Sequence, residues 1–547
     1  MKENNPLTIQ SDRTMLLDLH SPLAEDCRSE IIAFSSLIKS PEHVHTYELS
    51  NLSLWNAISS GLTVDEILES LKKWSRFDID ERIIFFIEDQ GRRFGEFVLT
   101  EYDDDYLLLT VKRKIHALQI AADPKLKSLI HPHTESSFLV KRFDRGTVKI
   151  ALIKQGFPID DQIPLIKGEK VDMEARESFK ARDYQITATH SLLGNGEKGT
   201  GFGTIVLPCG SGKTIVGILS MLALRTRTLI LAPNVASVHQ WIREIIDKTN
   251  IPEDMIGEYS GEKKDIKPIT VCTYQVLTWR KDRNEEVYPH FSIFKEGNWG
   301  FIIYDEVHML PAPVFRITAE LQAIYRLGLT ATLIREDGRE DEVFSLVGPK
   351  RYDTPWAELA NRGFIAKAYC HEIRIGLPED LEIPYALGTK SEKYKIASQN
   401  PIKLDVTKKL LEKHKDDQVL IIGQYIEQLN YFKKTFGLPI ITGSTSNKKR
   451  DELYADFRSG KIKALIVSKV ANFAIDLPDA SVAIQISGAF GSRQEEAQRL
   501  GRILRPKAKD SHFYTIITEY TEEEIFASNR QKFLSEQGYN YSIERFQ

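Results

Sequence analysis

The sequence is poor in cysteine and contains no long apolar run. Its four cysteines among 547 residues lie far apart, so we expect neither a disulfide framework nor a cysteine-rich zinc or iron–sulfur site. No stretch approaches the roughly 18 apolar residues that span a membrane, and residues 1–12 lack the apolar segment of a signal peptide. We therefore expect a cytoplasmic protein that makes no use of a membrane. The cysteines are Cys27, Cys209, Cys272 and Cys370.

The sequence also lacks a strong charge of either sign. Lysine and arginine number 73 against 77 aspartates and glutamates, a formal net charge of −4. Any nucleic-acid binding must therefore come from local grooves and not from a basic surface overall. Hydrophobic residues make up 42% and charged residues 27%, as in ordinary globular proteins. Because 547 residues exceed what one core supports, about three or four packed units are expected.

From residue 177 onward, short β-branched apolar runs alternate with helical patterns, which is typical of parallel α/β units. The polar stretch 376–401 separates two sets of such runs. We predict two doubly wound parallel-sheet lobes of the same α/β architecture, 176–375 and 376–547. The predicted strands are 203–207, 228–232, 269–273, 301–304 and 326–329 in the first lobe, and 419–422, 439–442, 464–467, 482–485 and 513–516 in the second.

The first 175 residues predict smaller α+β domains, 1–85 and 86–175. Residues 7–17 predict a hairpin, and Thr63 with Glu66 predicts a capping box before an amphipathic helix. Residues 95–111 and 138–153 predict strands. The basic residues close to these strands fit a solvated face as well as a functional patch; they are Lys112, Arg113, Lys114, Lys141, Arg142 and Arg145.

A phosphate-binding loop, LPCGSGKT at residues 207–214, lies between a predicted strand and an apolar helical segment. Its glycines let backbone N–H groups approach phosphates, Lys213 places a positive charge on the β and γ oxygens, and the Thr214 hydroxyl can ligate Mg²⁺. Leu207 replaces the usual leading glycine. The alternative is a plain glycine-rich turn. We predict that ATP and Mg²⁺ bind here, and the loop residues concerned are Gly210, Ser211, Gly212, Lys213 and Thr214.

Two adjacent carboxylates, Asp305 and Glu306, follow the apolar run 301–304. An aspartate at a strand end can hold Mg²⁺, and its neighbour is suited to orient and deprotonate the water that attacks the γ-phosphate. An isolated Asp-Glu pair is more often a solvated turn. Its position after a phosphate loop and a buried strand favours the catalytic interpretation.

Residues 305–308 (DEVH) resemble motif II of superfamily 2 helicases, and the other motifs of these proteins follow in their usual order. The resemblance implies that Arg182, Gln185 and Asp476 belong to the ATP site and that Arg502 and Arg505 contact the γ-phosphate. The implied coupling residues are His308, Thr330, Thr332 and Gln498, and the implied DNA contacts are Gln240, Thr273 and Ser468. Taken singly, several of these motifs are also typical of a buried strand end or a basic helix face.

Residues 335–337 (RED), directly after motif III, resemble the RED motif of the XPB family of DNA-repair helicases, and the tail 529–541 resembles bacterial XPB-like proteins. The resemblance implies that Arg335, Glu336 and Asp337 engage DNA. It also implies that 1–85 is an accessory domain and that 86–175 corresponds to a damage-recognition domain. The polar stretch 376–401 is the candidate for the thumb-like insertion of the family.

The resemblance implies an ATP-dependent DNA helicase or translocase that moves 3′ to 5′ and acts in DNA repair, as in the duplex opening of nucleotide excision repair. Its expected partners are single-stranded DNA, duplex junctions, and a repair nuclease or other repair proteins. Three alternatives stay open. They are a duplex-DNA translocase without strand separation, an RNA helicase, against which the RED motif argues, and an ATP-gated loading factor for a repair nuclease.

Overall fold

The computed structural model describes residues 4–40, 43–163, 167–194, 196, 198–208, 210–280, 289–309, 323–331, 347–354, 356–365, 367–468, 480–487, 510–536 and 539–546. Contacts divide the chain into two units. The first holds Met1–Val206 and Lys213–Asp353, and the second holds Leu207–Gly212 and Thr354–Gln547. Within these described ranges, no helix is both long and apolar enough to cross a bilayer.

The N-terminal domain is a four-stranded antiparallel sheet, in the order β1-β2-β4-β3, with four helices. The predicted hairpin is confirmed, because Leu7 pairs with Leu17 across β1 and β2. The capping box is also confirmed: Thr63 Oγ1 accepts from the backbone N–H of Glu66, and Glu66 Oε2 accepts from that of Thr63. The elements are β1 (Leu7–Ile9), β2 (Thr14–Asp18), α1 (Ala24–Ile31), β3 (Ser36–Lys39), β4 (Val44–Glu48), α2 (Asn51–Ser59), α3 (Val64–Trp74) and α4 (Glu81–Arg93).

The middle domain is a five-stranded sheet in the order β7-β8-β6-β5-β9 with two helices. The predicted strand 138–153 is wrong in its second half, which forms helix α6. Val148 and Leu152, four residues apart, are both buried, and this helical spacing outweighs the β-branched composition. The elements are β5 (Phe97–Glu101), β6 (Tyr106–Val111), α5 (Lys114–Ala122), β7 (Ile130–Thr134), β8 (Ser137–Lys141), a 3₁₀ turn (Arg142–Asp144), α6 (Arg145–Lys154) and β9 (Ile159–Asp161).

The first motor lobe contains a seven-stranded, wholly parallel sheet in the order β12-β13-β11-β14-β15-β10-β16. Its central strands are apolar throughout, as expected where helices cover both faces. The predicted strands 228–232 and 269–273 are confirmed to the residue. The helices are α7 (Asp183–Leu193), α8 (Lys213–Leu224), α9 (Val235–Lys248), α10 (Tyr274–Thr278) and α11 (Ser292–Glu296), with 3₁₀ turns at Glu253–Met255, Pro289–Phe291 and Val307–Met309; the strands are β10 (Phe202–Val206), β11 (Thr228–Ala232), β12 (Ile256–Tyr259), β13 (Ile269–Thr273), β14 (Phe301–Asp305), β15 (Tyr325–Thr330) and β16 (Lys350–Asp353).

The second motor lobe repeats this architecture, with a parallel sheet in the order β19-β20-β18-β21-β22-β17-β23. The predicted boundary at residue 375 left 368–375 in the first lobe, but this segment forms β17, which pairs with β22 and β23 in the second sheet. The elements are α12 (Trp356–Asn361), β17 (Ala368–Ile375), α13 (Glu379–Leu387), α14 (Lys390–Ser398), α15 (Ile402–Lys413), β18 (Val419–Gly423), α16 (Ile426–Phe436), β19 (Ile440–Ile441), α17 (Asn447–Arg458), β20 (Ala464–Ser468), β21 (Val482–Gln485), β22 (Ser511–Thr518), α18 (Glu522–Glu536) and β23 (Asn540–Arg545).

Three histidines from separate elements meet on this second sheet. His371 Nδ1 lies 2.9 Å from Ser542 Oγ, and its Nε2 lies 3.2 Å from His512 Nδ1. His414 Nε2 lies 2.9 Å from Tyr514 OH. Burial first, and then the nearby His512, Lys413 and His414, lower the pKa of His371 from 6.5 to about 4. His371 is therefore held in its neutral form in the folded protein.

We expect the second lobe to lose stability as the pH falls from about 6.5 towards 4. Because the pKa of His371 is lower in the folded state, the unfolded chain takes up the proton first, and acid favours unfolding. Replacing His371→Gln removes this titration. The melting temperature measured at pH 7 and pH 5 should therefore fall less for this variant than for the unmodified protein. The exposed His133→Gln is the matched control, and equal losses in all three proteins would contradict the prediction.

Candidate active site

The phosphate loop joins the end of β10 to the start of α8. Gly210 and Gly212 have φ values of +80° and +84°, a backbone region that residues with a Cβ rarely adopt. Ser211 Oγ donates to the carbonyl of Pro208 at 2.6 Å, which holds the turn between them. Lys213 is the first residue of α8. The loop thus leads directly into a helix N-terminus, where unpaired N–H groups and the helix dipole favour an anion.

The carboxylate pair lies at the end of strand β14. Glu306 has a φ of +47°, a conformation that costs about 1–3 kcal/mol in a residue other than glycine and is concentrated at functional sites. Its Oε1 lies 3.3 Å from Lys213 Nζ. Its Oε2 is buried, has no hydrogen-bond partner among the described residues, and lies 3.5 Å from His308 Nδ1. One oxygen is therefore held by the loop lysine, while the other makes no hydrogen bond among the described residues and lies beside His308.

The two carboxylates have opposite pKa shifts. Burial, and then the negative charge of Glu306, raise the pKa of Asp305 to about 6. Burial alone would also raise the pKa of Glu306, but Lys213 and His308 outweigh it and lower that pKa. Glu306 is thus kept ionised, as a proton acceptor requires. A divalent cation beside Asp305 would stabilise the second negative charge.

Trp241 and Tyr274 hold Asp305 in place, and neither residue was predicted from the sequence to belong to the site. Trp241 Nε1 donates to Asp305 Oδ2 at 2.9 Å, and Tyr274 OH donates to the Asp305 carbonyl at 2.8 Å. The Trp241 ring packs on α8 at Gly217, where an added Cβ would lie 2.5 Å from the ring. The signal available in the sequence was a tryptophan on the apolar face of α9, since a buried indole N–H needs an acceptor.

His308 connects motif II to the strand that carries motif III. Its Nδ1 lies 2.8 Å from Thr330 Oγ1 at the end of β15 and 3.5 Å from Glu306 Oε2. A ligand that acts on Glu306 would therefore act on the end of β15 through His308. Thr332 lies outside the described residues.

Two residues predicted for the ATP site, Arg182 and Gln185, lie at the start of α7. Gln185 is buried, and its Oε1 accepts from the backbone N–H of Arg182 at 2.9 Å. Its carboxamide oxygen therefore caps the helix, and its amide nitrogen lies 3.5 Å from Tyr184 OH, to which it donates. Thr214, the second residue of α8, is half-buried next to Lys213.

The predicted DNA contacts differ in their surroundings. Gln240 is half-buried on α9. Thr273 is buried, and its Oγ1 accepts from the backbone N–H of Val276, so that this side chain caps α10. Ser468 ends β20 in the second lobe, and its buried Oγ has no hydrogen-bond partner in the part of the chain that the structure describes. The remaining predicted site residues lie outside the described ranges: Arg335, Glu336, Asp337, Asp476, Gln498, Arg502 and Arg505.

The side chains present fit a nucleoside triphosphate with a divalent cation. The loop glycines and the start of α8 offer backbone donors, and Lys213 offers a positive charge. Asp305 and the hydroxyl of Thr214 are the hard oxygen donors that Mg²⁺ prefers. The unpartnered Oε2 of Glu306 is the group that would accept a proton from water.

Family models match most of the chain. One described as the ERCC3/RAD25/XPB C-terminal helicase matches residues 359–545, and one described as the type III restriction enzyme, res subunit, matches residues 178–335. A third, described as a helicase conserved C-terminal domain, matches residues 7–135. That third region contains the antiparallel N-terminal sheet and much of the middle domain, so it is not a third parallel motor lobe.

Curated relatives cover the whole length. The chain is 44% identical to "DNA 3′-5′ helicase XPB" of Kineococcus radiotolerans, over 99% of this chain and 96% of the relative. It is 43% identical to the protein of the same name from Mycobacterium tuberculosis, over 99% and 98%. It is 32% identical to the "General transcription and DNA repair factor IIH helicase/translocase subunit XPB" of Enterocytozoon bieneusi, over 99% and 93%.

Replacing Trp241→Phe should weaken the apparent affinity for Mg²⁺ in nucleotide hydrolysis. The ring stays, but the N–H that orients Asp305 Oδ2 is lost. Loss of a hydrogen bond to a ligating carboxylate typically costs about 10–100-fold in metal affinity or activity. We therefore expect the half-saturating Mg²⁺ concentration to rise about tenfold or more. Trp279→Phe, at an exposed tryptophan, is the control, and an unchanged Mg²⁺ titration in Trp241→Phe would refute the role.

Proposed function

Because the chain belongs to the XPB family of DNA 3′-5′ helicases, we propose that it hydrolyses ATP to separate DNA strands in the 3′ to 5′ direction and that it acts in DNA repair. The observation that carries the proposal is the arrangement at the edge of the first sheet. Lys213 holds one oxygen of Glu306, the other makes no hydrogen bond among the described residues and lies 3.5 Å from His308 Nδ1, and Asp305 is the preceding residue.

We propose the following roles for these side chains. Lys213 binds the β and γ oxygens of ATP and withdraws the negative charge that develops there. Glu306 Oε2 accepts the proton of the attacking water. Mg²⁺, when bound, would be held by Thr214 and Asp305 and would neutralise charge on the phosphate oxygens.

His308 is the proposed coupling residue. His308 Nδ1 lies 3.5 Å from Glu306 Oε2 and 2.8 Å from Thr330 Oγ1. His308 therefore responds when the ionisation or position of Glu306 changes during hydrolysis. A change at the γ-phosphate is thereby transmitted to the end of β15, immediately before the residues that carry the RED motif. Thr332 and Gln498 are proposed to extend this coupling.

The remaining assignments are proposals that rest on sequence motifs. Gln185 contacts adenine, Arg182 and Asp476 belong to the ATP site, and Arg502 and Arg505 contact the γ-phosphate. Gln240, Thr273 and Ser468 lie along the path of the DNA strand. Because Thr273 Oγ1 already caps α10, we propose that this residue shapes the strand path and that its hydroxyl is not itself the contact.

We also propose a domain division into 1–85, 86–175 and two motor lobes, with β17 assigned to the second lobe. In this division 86–175 is a damage-recognition domain, and helices α13 and α14 occupy the stretch proposed as a thumb-like insertion. A repair nuclease or another repair protein is the proposed partner. The relative from Enterocytozoon bieneusi is named a helicase/translocase subunit, so movement along duplex DNA is the second activity to be tested.

The proposed function is tested by ATP hydrolysis with and without single-stranded DNA, and by strand displacement on duplexes with a 3′ or a 5′ overhang. We expect DNA-stimulated hydrolysis and displacement on the 3′ overhang. Glu306→Gln should reduce turnover by about 10²–10⁴-fold, the usual contribution of a general base, while ATP binding persists. Triplex displacement without strand separation would instead assign a duplex translocase.

The matched control for that experiment is the exposed Glu253→Gln, which should behave as the unmodified protein. Near-normal turnover in Glu306→Gln would show that Glu306 is not the general base. An absence of DNA stimulation together with stimulation by RNA would overturn the choice of DNA as substrate.

Replacing Arg335, Glu336 and Asp337 together by alanine should separate ATP hydrolysis from strand separation. If these residues engage DNA, the hydrolysis measured without DNA should stay near normal, while strands separated per ATP hydrolysed should fall. Thermal unfolding measured in parallel controls for loss of structure. If the number of strands separated per ATP hydrolysed is unchanged in a stably folded variant, these residues form only an ion-pair turn with little effect.

A further inference from the structure

A cavity of about 630 Å³ lies in the first unit where its three parts meet. Helix α2 lines it from the N-terminal domain, α6 and β9 from the middle domain, and the start of β15 with the end of α7 from the motor lobe. Arg326 lies near the start of β15 at the cavity, and Thr330 ends the same strand at the catalytic edge. A strand rises about 3.3 Å per residue. The cavity and the catalytic edge therefore lie at opposite ends of β15.

The cavity has more positive than negative charge. Asp161 is its carboxylate, and this group is already held by Arg145 at 2.5 and 3.0 Å and by Lys149 at 2.7 Å. Arg326, with its guanidinium 5.3 Å from the Phe202 ring, forms no ion pair with any carboxylate of the described residues. Lys149, Lys198 and Arg326 line the cavity with this single carboxylate, which leaves an excess of positive charge.

Three buried hydrogen-bond donors at the lining have no partner among the described residues. They are Trp55 Nε1, Asn56 Nδ2 and Arg326 Nε. Buried polar groups are almost always satisfied, and those that are not point to a cause such as a bound molecule. Because all three groups are donors, the missing partner is a molecule rich in acceptors.

Part of the wall is apolar. Ile150 and Ile153 of α6 face the cavity from the middle domain, and Leu193 and Leu224 face it from the motor lobe. Small-molecule sites are commonly of this size, mainly apolar, with a few convergent polar groups that fix orientation. A ligand that fits this lining has an apolar part as well as an anionic group.

We propose that this cavity binds a small organic anion with an apolar part, of the size of a nucleoside monophosphate. Arg326 and Lys149 pair with its anionic group, and Trp55 and Asn56 donate to its acceptors. The ligand contacts all three parts of the first unit at once, so its binding stabilises them against one another. This site lies apart from the proposed catalytic residues and does not depend on their roles.

The test uses the full chain with Lys213→Ala, which weakens nucleotide binding at the phosphate loop. Titration calorimetry with AMP, ribose 5-phosphate and inorganic phosphate measures binding at the cavity. We expect saturable binding of AMP with one site, and at least tenfold weaker binding of the two probes that lack the flat base. Adding Arg326→Gln or Trp55→Phe should raise the dissociation constant of AMP at least tenfold, whereas Arg243→Gln, away from the cavity, should not change it.

Several results would overturn the proposal. They are an absence of AMP binding, AMP binding that Arg326→Gln and Trp55→Phe leave unchanged, and equal affinity for all three probes. Thermal unfolding identifies a variant that has lost its structure. If Arg326→Gln is unstable, Trp55→Phe decides alone, because it keeps an aromatic ring and removes the N–H donor.

Discussion

The ion pair between Lys213 and Glu306 exists because a parallel sheet brings the carboxyl ends of its strands to one edge. In the first lobe β10, β15 and β14 are adjacent, with Val206 beside Thr330 and Asp305 beside Leu329. The phosphate loop, the carboxylate pair and motif III are far apart in the chain. Each directly follows one of these neighbouring strands, so all three lie at the same edge of the sheet. The positive φ of Glu306 and the lowered pKa of its carboxyl both depend on this convergence.

The packing of the Trp241 ring against α8 affects the orientation of the Asp305 carboxylate. Gly217 leaves room for the Trp241 ring against α8, and the ring in turn brings its N–H to Asp305 Oδ2. A side chain at Gly217 would displace the ring, so a residue without a side chain influences the orientation of a carboxylate. The helix after the phosphate loop thereby supports the site twice, through Lys213 at its start and through Gly217 one turn later.

Much of this architecture follows from local pattern. The buried parallel strands were predicted because continuous β-branched runs between helical segments are typical of strands covered on both faces. The loop and the carboxylate pair were predicted because their chemistry needs those residue types at those places. Helix α6 was missed because its residues include the β-branched Val148 and Ile150, and a short apolar run leaves helix and strand ambiguous. Trp241 was missed because its acceptor lies 64 positions away in sequence. The end of the first lobe was misplaced because β17 is assigned by its partners and not by its own composition.

The position of β17 in the second sheet affects how the chain folds during its synthesis. This strand lies between β22 and β23, so that His371 meets a residue 171 positions later, Ser542. During synthesis, β17 leaves the ribosome with both of its edges unpaired, and it stays so until almost the whole second lobe has been translated. Non-local parallel pairing of this kind is slow and exposes strand edges to aggregation. A chain that stops short of β23 would retain every residue of the phosphate loop and the carboxylate pair, yet it would carry an open apolar edge in its second sheet, and quality-control proteases and chaperones would encounter that edge first.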